Sequence, residues 1–102
     1  MMNIYVDIDE TICFYDERDY VNPDYSTAVP HYGNISKINK LYDEGNTITY
    51  WTARGNRTGI DWYDVTKSQL IEWGCKHHDL KVGDKPPYDI LICDKTKRIE
   101  EI

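Results

Sequence analysis

The run Ile4–Ile8, "IYVDI", constrains the fold more than any other stretch. It is apolar on both alternating faces, so it reads as a strand covered on both sides, which is the environment of a central strand in a parallel sheet. Parallel strands need a crossover between them, usually a helix. The rest of the chain supplies such segments. Thr47 to Trp51, "TITYW", is a β-branched and aromatic strand. Asp79 to Val82 and Ile90 to Cys93, "ILIC", complete a set of about four strands. Between the first two, Ile35, Ile38, Leu41 and Tyr42 recur at helical spacing, with Asn34 as the expected N-cap and Gly45 as the stop. Between the next two, "TGID" from Thr58 predicts a helix start, running to about Trp73 before Gly74. A last helix is expected from about Lys95. The order is that of an open, mostly parallel α/β sheet flanked by helices, in one domain over residues 1–102.

Residues 13–33, "CFYDERDYVNPDYSTAVPHYG", break this alternation. They are rich in Tyr, Asp and Pro and have neither period, so they read as an ordered loop or flap. Its tyrosines, Tyr15, Tyr20, Tyr25 and Tyr32, are read either as stacking partners for a base or sugar or as cover for a small core.

The central strand ends in acid: Asp7, Asp9 and Glu10 fall within four positions. Ligands of open parallel sheets bind beyond the carboxyl ends of the strands. Here those ends carry Asp7 and Asp9, Thr52, and Asp94. Carboxylates gathered in one cleft repel unless a proton or cation intervenes, and hard oxygen ligands suit Mg²⁺. Thr52 can donate to a phosphoryl oxygen, and the loop at Gly55 before a helix start offers main-chain N–H groups to an anion. One acid at this point could attack a substrate while the other exchanges a proton with the leaving group. A calcium loop is the poorer reading, because Ile12 stands where such a loop needs glycine.

The net charge of −6 argues against a partner held by a basic surface, so no strong nucleic-acid binding is expected. No apolar run is long enough to span a membrane, and the acids near the N-terminus do not suit a secretory signal. Cys13, Cys75 and Cys93 are odd in number and lack a C-x-x-C, which suits reduced thiols; the expectation is a cytoplasmic protein. Cys75, His77 and His78 lack a fourth zinc ligand and read as an exposed loop after a helix. Trp62 and Trp73, eleven apart, read as packing positions on that helix. A small sheet with exposed aromatics points to self-association as a homo-oligomer.

Taken in order, "DIDET", "WTARG", "DKPPYD" and "ILICDK" resemble the four motifs of haloacid dehalogenase-like phosphatases. The resemblance is to small, capless members, similar to those labelled capsule or polysaccharide biosynthesis phosphatases. It implies a HAD-like, Rossmann-type sheet without a cap domain and a Mg²⁺-dependent phosphatase acting on a small phosphorylated substrate. It further implies Asp7 as the nucleophile that becomes an aspartyl-phosphate, and Asp9 as acid and then base. Thr52, Ala53, Arg54 and Lys85 would bind the phosphoryl group, and Asp7, Asp9 and Asp94 the metal, with the Asp9 main-chain carbonyl in its shell. Arg54 is otherwise read as a surface arginine. Lys95 follows Asp94 where the family often has a second acid, and the spacer after Lys85 is short, so Lys81 or Lys95 are the alternatives to it. Two other functions stay open: a nucleotide or polynucleotide 3′-end phosphatase, and a catalytically silent module that binds a phosphorylated ligand.

Overall fold

The computed structural model describes residues 2–83 and 90–92. Lys85, Cys93, Asp94, Lys95 and the helix expected from Lys95 lie outside the described residues. Strand β1 spans Asn3–Asp7. Two short strands, β2 (Cys13–Phe14) and β3 (Val29–Pro30), pair antiparallel and close the base of the flap. Helix α1 (Tyr32–Asp43), β4 (Thr47–Thr52), α2 (Tyr63–Glu72), β5 (Asp79–Val82) and β6 (Ile90–Ile92) follow. A single 3₁₀ turn, Tyr25–Thr27, lies within the flap.

Strands β5, β4, β1 and β6 form one parallel sheet in that order. The chain steps outward from β1 to β4 to β5, then crosses back to place β6 on the other side of β1. The reversal makes β1 the switch point, where a parallel sheet opens a crevice at its carboxyl edge. This is a compact α/β architecture, as the strand and helix order predicts. Ile4, Val6 and Ile8 are buried with Ile48 and Tyr50 of β4 in a single core that Ile35, Ile38 and Leu70 cover from the helices.

Both helix starts differ from the sequence expectation. α1 begins before Asn34: His31 is the N-cap, its Nδ1 accepting the Asn34 N–H at 3.0 Å. Asn34 is freed for another task, donating through Nδ2 to the Thr11 carbonyl at 2.9 Å. α2 begins at Tyr63, five residues after Thr58. The expected capping box fails because Gly59 has φ +78°, a left-handed value that no helical first turn contains. Trp62 therefore precedes the helix and meets Tyr25 edge to face, with ring centres 5.1 Å apart. Gly45 and Gly74, at φ +96° and +70°, stop the two helices as expected. Cys75 is not exposed: it is buried in the core, while His77 abuts Tyr50 and His78 stacks on Tyr42.

Gly55 is fixed by both conformation and space. Its φ is +86°, and an added Cβ would lie 2.0 Å from the Ile60 carbonyl oxygen. Gly59 has a similar φ but nothing within 4 Å. Gly59→Ala should cost about 1–2 kcal/mol for the left-handed backbone alone, and Gly55→Ala clearly more. Thermal melts of the two variants will check this. Equal losses would mean that the 53–60 turn relaxes without cost.

Candidate functional site

The acid-bearing turn starts where β1 ends. Ile8 N donates to Asp7 Oδ1 at 2.8 Å. The main-chain N–H groups of Thr11 and Ile12 then donate to the Ile8 carbonyl, and Glu10 takes φ +63° to make the turn. A non-glycine residue in that conformation costs about 1 kcal/mol or more. Its carboxylate accepts from Arg18 Nη1 at 2.9 Å, which ties the turn to the flap. On the neighbouring strand Trp51 stands in register with Asp7, so Thr52 comes level with the start of the acid turn. A cavity of about 240 Å³ opens there, lined by Asp7, Asp9, Thr52, Arg54, Arg18 and Tyr25. Ala53 also lines it.

Arg54 is not a surface residue. It is 2 % exposed and sits at the centre of the site. Its Nε and Nη2 donate to the two oxygens of Asp9 at 3.0 and 2.8 Å, a fork-to-fork pair. Nη1 donates to Thr66 Oγ1 at 3.0 Å and Gln69 Oε1 at 2.7 Å, both on α2. The Tyr25 ring lies under the guanidinium at 4.9 Å. The Tyr15 hydroxyl donates to Asp9 Oδ1 at 2.5 Å. Burial pushes the Asp9 carboxyl up, but the hydrogen bonds and charge of Arg54, with Tyr15 and Arg18, outweigh it and hold Asp9 below its usual range. Asp9 is thus an ionised carboxylate at neutral pH.

Thr52 is buried, and its Oγ1 accepts the Arg54 N–H at 3.2 Å. Its own hydroxyl proton remains to donate to an oxygen in the cavity. The late start of α2 removes one expected feature: no helix N-terminus follows Thr52 directly, so the anion-binding groups near it are those of the turn. Lys81 is exposed on the edge strand and pairs with Asp79 at 3.4 Å. It does not line the cavity. Lys85, Lys95 and Asp94 lie outside the described residues.

The donors suit a hard cation. Asp7 offers a carboxylate and Thr52 a hydroxyl, while the Asp9 carboxylate is engaged by Arg54. Among the described residues no three His, Cys, Asp or Glu side chains gather as a complete metal site.

Sequence reading missed Arg18, Thr66 and Gln69 as site residues, and left Tyr15 and Tyr25 between stacking on a ligand and covering the core. Thr66 and Gln69 are spaced i, i+3 on the same inward face as Leu70. Polar residues on a helix face that also holds a buried leucine were the signal that something polar lies beneath. Of the flap tyrosines, Tyr15 and Tyr25 join the site, Tyr20 packs on Arg18, and Tyr32 is exposed at the start of α1.

Among the described residues, no helix is long and apolar enough to cross a membrane. No family model matches the chain. No curated protein matches it either. Among solved structures, the crystal structure of an MCSG target protein from Vibrio cholerae is similar, with a TM-score of 0.68 and 21% identity over 84% of this chain and 72% of that one. At that identity the likeness is one of fold alone.

Proposed function

We propose that the cleft at the end of β1 is the phosphoryl-transfer site of a Mg²⁺-dependent phosphomonoesterase of the haloacid dehalogenase-like type. One observation carries the reading: Asp7, Asp9, Thr52 and Arg54, drawn from two motifs 45 residues apart, line a single cavity at the switch point of a parallel sheet. The motif order supports it, as does the α/β fold. The Asp7 carboxylate attacks phosphorus, forming an aspartyl-phosphate as the ester oxygen departs. Asp9 gives that oxygen its proton, then takes one from the water that hydrolyses the intermediate. Thr52 donates to a phosphoryl oxygen and Arg54 holds Asp9 in place. Asp7, the Asp9 main-chain carbonyl and Asp94 would hold Mg²⁺, which would supply charge neutralisation at the transferring group when bound. Hydrolysis of an aryl phosphate that requires Mg²⁺ and stops with chelator tests the reading; no turnover with Mg²⁺ overturns it.

A second reading, a silent module that binds a phosphorylated ligand, is favoured by the ionised state of Asp9. A general acid works best with a pKa near the working pH, and Arg54 holds Asp9 well under it. If the phosphatase reading is right, this has a kinetic signature. Alkyl phosphates need the proton from Asp9, whereas aryl phosphates, with better leaving groups, need it less. Above pH 5 the kcat/KM for an alkyl phosphate should fall by up to about tenfold per pH unit relative to an aryl phosphate. Parallel pH profiles for the two substrates would remove Asp9 from the acid role.

A further inference from the structure

Among the described residues, the cations that line the cleft at the end of β1 are Arg18 and Arg54. A phosphoryl group entering it brings negative charge and acceptor oxygens, and a guanidinium can meet both through its five N–H donors. Arg54 has none left. Its Nε donates to Asp9 Oδ2, and its Nη1 to Thr66 Oγ1 and Gln69 Oε1. One hydrogen of Nη2 goes to Asp9 Oδ1, and the other faces the Tyr15 hydroxyl at 3.4 Å. Its charge is matched by the same Asp9 carboxylate, 2.8 Å away.

Arg18 is the opposite case. It comes from the flap, and among the described residues its guanidinium makes one hydrogen bond, from Nη1 to Glu10 Oε1 at 2.9 Å. Its Nε is buried without an acceptor, which is costly for an N–H group. The Glu10 side chain is 36 % exposed, and a pair so open to water gains little. What holds the cation is aromatic: its central carbon lies 5.0, 4.9 and 5.9 Å from the ring centres of Tyr15, Tyr20 and Tyr25. Ring faces attract a cation and fix where it lies, but they offer its N–H groups no oxygen. The side chain keeps 20 % of its surface exposed and lines the same cavity as Asp7 and Thr52. The flap thus presents to the cleft a positioned cation that is short of acceptors.

We infer that Arg18 is the flap's phosphate-binding residue, its guanidinium donating to an oxygen of the phosphoryl group that the cleft takes. Arg18 then fills the role that closeness to Thr52 in the sequence suggests for Arg54, and Arg54 serves only to hold Asp9. The inference rests on the cleft being the phosphoryl site, and binding and turnover test the two separately. Its rival is a structural Arg18 that merely fastens the flap to the acid turn through Glu10.

Calorimetry with inorganic phosphate and Mg²⁺ on the full chain separates them. Arg18→Gln should weaken phosphate binding by about tenfold or more. Arg18→Lys keeps the charge and loses the fork, so it should recover part of that loss. Glu10→Gln breaks the same ion pair from the other side. It should bind phosphate as tightly as wild type or more so, because a negative charge beside the cation is gone. Thermal melts of each variant report the fold; if Arg18→Gln does not fold, a loss in Arg18→Lys that Glu10→Gln does not share carries the same conclusion. Equal losses in the Arg18 and Glu10 variants would make Arg18 a fastener of the flap and overturn the inference. So would phosphate binding that neither Arg18 variant weakens, or no binding by the wild type. Wild-type turnover of an aryl phosphate is read apart: if phosphate binds through Arg18 and no ester is hydrolysed, the phosphatase reading fails and the role of Arg18 stands.

Discussion

Arg54→Ala is expected to destabilise the protein by about 3–5 kcal/mol, because it leaves the Asp9 carboxylate buried without its partner. In a chain of 102 residues, each kcal/mol moves the melting temperature by roughly 4–8 °C, so a fall of more than about 10 °C should be seen. The same truncation strips partners from Thr66 and Gln69 and removes the cation over Tyr25. Asp9 provides the control. Replacing both members, Asp9→Asn with Arg54→Met, removes the uncompensated charge, and the double variant should melt above Arg54→Ala. The direction with pH follows from the same pair. Asp9 in the folded protein is held below the ordinary 3.8, so its stabilisation is present above that value and is lost as the pH falls through the lower folded one. In Arg54→Ala, burial is left to raise the Asp9 pKa, so the penalty is largest at neutral pH and shrinks towards pH 4. Thermal melts across that range will check both statements. A gap between wild type and variant that does not change with pH would mean that lost packing, not lost charge, sets the effect.

Asp7→Asn should leave the fold intact and abolish catalysis. Asp7 Oδ1 accepts the Ile8 N–H, and an asparagine oxygen can do the same, so stability should change by no more than about 0.5 kcal/mol. An amide oxygen is not a competent nucleophile towards phosphorus. The rate on an aryl phosphate should therefore fall by roughly four orders of magnitude or more. With Mg²⁺, fluoroberyllate should form an adduct on Asp7 of the wild type and none on the variant. Substantial turnover by Asp7→Asn, or an adduct on another residue, would reassign the nucleophile and with it the covalent mechanism.

The sequence by itself determined the class of fold and the place of the acids. A strand that is apolar on both faces can only be covered from both sides, which fixes Ile4–Ile8 in the middle of a parallel sheet. Asp7 and Asp9 then follow at its carboxyl end by chain connectivity alone. The glycines that stop both helices were equally legible, because left-handed backbone after a helix is a local property. Local text misled at the helix starts, where a weak capping box at Thr58 was overridden by the turn that Gly55 and Gly59 build. The role of Arg54 was decided only by tertiary structure. Next to Thr52 in sequence it reads equally as a substrate contact or a surface charge. Its carboxylate partner lies 45 residues away in the turn after β1, and its other acceptors come from a helix whose polar inward face has no meaning until it is packed. The flap is similar. Its tyrosines and acids have no period to read, and what they enclose depends on Arg18 reaching Glu10 and on Gln69 donating to the Tyr25 carbonyl at 2.8 Å. Periodicity encodes which face of an element is covered. It carries no record of which distant charge is covered with it, and in this protein that pairing sets the protonation state of the site.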